Sequence, residues 1–113
     1  MNKYLQLLLS NKGLGEFKAQ PVTDDRTATV YLYDTIVNSE LEAEYFGGVE
    51  PKLFAQTLAG IKADTINLRV NSPGGSVFAA RAMAQAIKEH PARVIAHVDG
   101  LAASAASFLV MAA

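Results

Sequence analysis

The sequence predicts an α/β domain built on a largely parallel sheet, and three observations carry that expectation. Three short runs rich in β-branched or aromatic residues, Thr27–Tyr33, Thr65–Val70 and Arg93–Val98, read as strands. The segments between them space their apolar residues at three and four, as a helix does. The last two runs end in glycine turns, Asn71–Ser76 and Asp99–Gly100, each leading straight into a helix-compatible stretch. Strand, helix, strand in this order implies parallel pairing through right-handed crossovers.

Composition narrows the classes. The 113 residues are enough for one domain, and at 50% hydrophobic and 19% charged they can bury a real core. Ten basic against 11 acidic side chains leave a net charge of −1 with no Lys/Arg cluster, so a nucleic-acid partner has no electrostatic support. Cysteine is absent, which excludes disulfide scaffolds and thiolate metal sites. The apolar runs Tyr4–Leu9 and Leu101–Ala113 are too short for a signal peptide or a membrane span. A cytoplasmic protein with no membrane partner is the expectation.

In chain order, residues 1–26 read as an N-terminal arm and residues 27–113 as the α/β domain. The arm starts with a leucine-rich stretch suited to a short amphipathic helix, then a turn-rich connector at Asn11–Gly15 and a loop at Pro21–Asp25. After the first strand, Asp34–Gly48 is mixed. Its Glu40, Glu42 and Glu44 read as a solvated face, because no histidine or ordered ligand spacing accompanies them. Pro51 then opens a helix at the favoured first position, with Leu53, Phe54, Thr57, Leu58 and Ile61 as its apolar stripe. The helix after Ser76 lines one face with Val77, Ala80, Met83, Ala84 and Ile87 and ends before Pro91. The third strand is expected to be buried and to break at Asp99–Gly100, with the last helix running from Ala102.

Two stretches carry chemistry. Gly74 and Gly75 lie where open α/β sheets place their ligand sites, just beyond the carboxyl end of a strand. Adjacent glycines let the backbone approach a substrate closely, although no phosphate-loop or dinucleotide pattern is present. Ser104 follows a strand and a glycine turn and opens a helix, which is the layout of a nucleophile elbow. Taken singly, Pro-Gly-Gly reads as a structural turn and Ser104 as a small residue between packed helices. Together they lie at the ends of sequential parallel strands and face one crevice.

Asn71-Ser-Pro-Gly-Gly-Ser-Val77 and Asp99-Gly-Leu-Ala-Ala-Ser-Ala-Ala-Ser-Phe108 resemble the two signature segments of the Clp protease proteolytic subunit family. The nearest likeness is to its phage relatives, the head maturation (prohead) proteases, and it covers about residues 28–113. The resemblance implies a ClpP/crotonase-like fold of repeated ββα and βαβ units, of which this sequence would be the N-terminal part. It makes Ser104 the nucleophile of a serine endopeptidase, and the N–H groups of Gly75 and Ala105 the oxyanion hole. Gly74, Ser76 and Val77 would border the substrate groove. It further implies a polypeptide substrate, a ring-shaped homo-oligomer, phage capsid or scaffold proteins as partners, and neither cofactor nor metal.

The family's histidine and aspartate lie further downstream than these residues reach. His90 sits at a helix end, and His97 lies on the strand that leads into the elbow, away from the family's base position. A serine without a base is a poor nucleophile, so this chain alone is expected to be inactive, as a truncated piece or as a remnant that kept the fold. Three alternatives share some of its features. A signal peptide peptidase A-like enzyme would need a lysine, and Lys62 and Lys88 fall on expected exposed faces. Crotonase-like acyl-CoA enzymes need two N–H donors but no serine. A non-catalytic assembly subunit needs neither.

Overall fold

The computed structural model describes residues 2–113. The elements are α1 (Lys3–Asn11), β1 (Glu16–Ala19), β2 (Thr27–Tyr33), α2 (Glu40–Phe46), α3 (Pro51–Ala59), β3 (Thr65–Ser72), α4 (Val77–Glu89), β4 (Arg93–Ala102) and α5 (Ala105–Ala112). They form a four-stranded sheet in the order β1-β2-β3-β4. β2, β3 and β4 run parallel, and β1 joins the edge antiparallel.

Alternation in β2 and β3 decides which face is buried. Ala28, Val30 and Leu32, and Ile66, Leu68 and Val70, point to one side and are almost fully buried. The register sets Val30 beside Leu68 and Leu68 beside Ala96, so the apolar residues form continuous rows. Phe54 and Leu58 of α3, Ala80, Met83 and Ile87 of α4, and Ala105, Ala106 and Leu109 of α5 cover those rows in one core. Each large side chain buried there contributes about 1.5–3 kcal/mol. The opposite face carries Tyr31, Tyr33, Asn67, Arg69, His97 and Asp99 on the alternate positions.

Helix starts follow capping chemistry. Ser39 accepts from the Glu42 N–H, Glu50 from Lys52 and Leu53, and Ser76 from Ala79, so each satisfies N–H groups that the helix itself leaves unpaired. The acidic stretch forms α2: Glu42 accepts from the Tyr4 hydroxyl at 2.7 Å and from the Asn38 N–H at 2.9 Å, and Glu40 lies 3.4 Å from Lys52.

The fold departs from the sequence expectations at several points. β1 is an addition: its four residues alternate polar and apolar over too short a run to mark a strand, and it exists through pairing with β2 and a Phe17–Phe54 ring contact at 5.8 Å. β4 is a half-exposed edge strand that continues through Asp99 and Gly100 to Ala102. The Asn71 side chain makes this possible by accepting from the Leu101 N–H at 3.1 Å, beside a register shift between Val70 and Ser72. α5 accordingly starts at Ala105. Leu53 and Val77, expected in apolar stripes, are 45% and 38% exposed, because α3 and α4 turn neighbouring positions inward.

Candidate active site

Ser104 sits between the end of β4 and the first residue of α5 with φ 49° and ψ −117°. Among the described residues only Arg26 shares a positive φ without being glycine. Such a conformation costs on the order of 1–3 kcal/mol and persists where its surroundings enforce it. Here the following turn does so: the Ser104 carbonyl accepts from the Ser107 N–H at 3.0 Å and from the Ser107 hydroxyl at 2.6 Å. The Ser104 side chain does not cap α5 and is exposed, which leaves the hydroxyl presented outward on the bend.

The double glycine packs directly against this bend. A methyl group on Gly74 (φ 94°) would lie 2.6 Å from the Ala103 carbonyl oxygen and 3.3 Å from both the Ala105 nitrogen and the Ser104 Cβ. Only glycine permits that approach. On its other side the loop pairs with Ile36, whose N–H donates to the Gly74 carbonyl and whose carbonyl accepts from the Ser76 N–H, both at 2.9 Å. A trans peptide directs its C=O and N–H oppositely. Because the Gly74 carbonyl faces Ile36, the Gly75 N–H faces away from it. Among the described residues neither the Gly75 N–H nor the Ala105 N–H, at the open N-terminus of α5, donates to a protein acceptor.

Around this core the sequence-expected groove residues are brought together. Ser76 caps α4 and its hydroxyl is hydrogen-bonded to Asn38, while Val77 is partly exposed at the first turn. The candidate bases are not brought in. The His97 ring lies on the helix-free face of the sheet, 3.0 Å from Asn67 Oδ1, and Ala102 comes five positions later along the strand, a span of about 16 Å. At the opposite end of the sheet, His90 Nδ1 accepts from the Ala92 N–H and Nε2 lies 2.9 Å from the Leu58 carbonyl oxygen. Lys62 precedes β3 and Lys88 ends α4, both exposed at that same far end.

Two further groups stand near the glycine loop. Asp34 borders a crevice of about 240 Å³ with Tyr33, Asn71, Pro73 and Leu101. Burial pushes its carboxyl above the usual carboxylate range, against hydrogen bonds from Thr35 and Gly48 that pull it down. Ser72 is fully buried at the end of β3 and holds the loop from below. Asp34 stands in no recognisable pattern, only just after β2; Ser72 lies within the Asn71–Val77 segment, but nothing there sets its hydroxyl apart from that of an ordinary turn serine. A larger cavity of about 740 Å³ lies at the far end, lined by Leu58, Ile61, His90 and Pro91, remote from Ser104.

Comparison with known proteins agrees with this architecture. A ClpP1 variant from Listeria monocytogenes superposes with a TM-score of 0.58 at 28% identity, covering 80% of this chain and 47% of that one. A chain assigned as an enoyl-CoA hydratase from Streptomyces coelicolor A3(2) superposes at 0.57 with 19% identity, covering 86% and 42%, and bears on the fold alone. The chain thus spans about half the length of these structures. No curated protein matches the sequence. The model of the family described as Clp protease matches residues 27–113, and the chain belongs to that family.

Proposed function

We propose that this chain is the nucleophile-bearing part of a serine endopeptidase of the Clp type. The observation that carries the reading is the backbone of Ser104, held at positive φ against Gly74 with its hydroxyl free. In this role Ser104 Oγ attacks the scissile carbonyl of a polypeptide and forms a tetrahedral oxyanion. The N–H groups of Gly75 and Ala105 stabilise that charge, each donor worth roughly 3–4 kcal/mol of barrier. Collapse of the intermediate expels the amine and leaves an acyl-serine, which water hydrolyses. The edge presented by Gly74, Ser76 and Val77 offers backbone groups for an extended substrate.

The proton taken from Ser104 needs a base, and His97 and His90 are engaged elsewhere. The base therefore comes from outside these residues, and the 113 residues alone are inactive. The chemistry calls for neither metal nor cofactor. The motif likeness supports a cytoplasmic homo-oligomer acting on polypeptides in phage head maturation, with capsid or scaffold proteins as partners. Lys62 and Lys88 lie at the far end of the sheet, which disfavours the serine–lysine alternative.

A serine-reactive phosphonate tests the reading in the natural gene product that contains these residues. Wild type labels and Ser104→Ala does not; absence of labelling in wild type overturns the proposal.

A further inference from the structure

The Gly75 N–H can serve as a donor only if the two peptide planes before it are held still. The second plane, Gly74–Gly75, is fixed by Ile36. The first, Pro73–Gly74, is fixed by a side chain. Ser72 Oγ accepts from the Gly74 N–H at 3.1 Å and donates to the Asp34 carbonyl at 2.5 Å. Its backbone carbonyl accepts from the Ala103 N–H at 3.2 Å, the residue before the nucleophile. Ser72 is 0% exposed, so water cannot replace these partners. Its hydroxyl has one proton, committed to Asp34, which leaves its lone pairs for Gly74. One residue thus ties the segment leaving β2, the glycine loop and the elbow to one another.

From this we infer that Ser72 is a positioning residue for the oxyanion pocket, a role that rests on the peptidase reading above. Without its hydroxyl the Gly74 N–H loses its acceptor, and the Pro73–Gly74 plane turns and shifts the Gly75 N–H that follows it. The Ser72 hydroxyl makes no bond with Ser104, so the nucleophile stays as it was. The effect therefore falls on the rate of the chemical step and not on encounter with the inhibitor or substrate. A displacement of about 1 Å in a group that acts on the transition state can slow a reaction about a hundredfold.

The test is phosphonate labelling of the natural gene product, resolved into the maximal inactivation rate and the inhibitor concentration at half-maximal rate. Ser72→Ala is expected to lower the maximal rate about tenfold or more and leave the half-maximal concentration near wild type. Ser72→Cys, which fills the site with a slightly larger group that donates and accepts only weakly, behaves the same way and decides the matter if Ser72→Ala fails to fold. Ile87→Val, in the core at the far end of α4, serves as a destabilised control that labels at the wild-type rate. Labelling of both Ser72 variants at the wild-type rate overturns the positioning role and leaves the peptidase reading intact. So does a loss no larger than the control's at matched folded fraction. A silent wild type overturns the peptidase reading itself, and the positioning role with it.

Discussion

Ile36 brackets Gly75: its N–H reaches the Gly74 carbonyl and its carbonyl the Ser76 N–H, each at 2.9 Å, in an isolated parallel bridge. The approach is so close that a Cβ on Gly75 would lie 2.0 Å from the Ile36 carbonyl oxygen, with φ at 144°. Gly75→Ala is therefore expected to destabilise the fold by at least about 2 kcal/mol, through strain and displacement of Ile36. Urea denaturation measures it. An unchanged midpoint would mean that the bridge does not constrain the loop.

Ser104 should be less stable in its place than glycine would be. Its φ of 49° and ψ of −117° lie where glycine is at home. Ser104→Gly is expected to raise stability by about 1 kcal/mol, after allowance for the greater chain entropy of unfolded glycine. Ser104→Ala gains nothing of this kind. Thermal melts of the two variants compare them directly, and equal midpoints would contradict backbone strain at the elbow.

On the helix-free face of the sheet, Arg69 grips Asp99 with two bonds of 2.8 and 2.9 Å, and the Tyr33 hydroxyl donates to the same carboxylate at 2.5 Å. The guanidinium first, and the phenol second, hold the Asp99 carboxyl below the usual range. A folded-state value below the unfolded one means that the contribution is present at neutral pH and fades below about pH 4. Asp99→Asn should remove that part of the acid sensitivity. Urea midpoints measured from neutral to acid pH check it: parallel curves for wild type and variant would contradict the pairing.

His97 should be dispensable for labelling of Ser104. Its ring is engaged with Asn67, and the strand carries it about 16 Å away from the elbow. His97→Ala is expected to label at the wild-type rate. Loss of labelling in that variant, with the fold retained by circular dichroism, would return this histidine to the site.

Much of this architecture is legible because it is local. β2 and β3 announce themselves through alternation in Thr27–Tyr33 and Thr65–Val70, Pro51 marks the start of α3, and Pro91 closes α4. The elbow is legible for the same reason, as a serine set between a strand with a glycine turn and an alanine-rich helix. β1 is not, since Glu16–Ala19 becomes a strand only by borrowing hydrogen bonds from Val30–Tyr33. Nor is the continuation of β4 past Gly100, which depends on a side chain 30 positions earlier in the chain.

Short-range patterns in the sequence are enough for a parallel α/β frame, for a double glycine and a serine at the ends of neighbouring strands, and for the family to which the chain belongs. Periodicity and turn chemistry act between near neighbours, so they survive in one dimension. Packing in three dimensions is what holds Ser104 at positive φ, lets Ile36 turn the Gly75 N–H outward, and lets Ser72 lock the loop to Asp34 and Ala103. It also decided that His97 faces Asn67 on the other side of the sheet. Each of these rests on a hydrogen bond or steric contact whose partner is set by the register of packed strands, and no local pattern encodes that register.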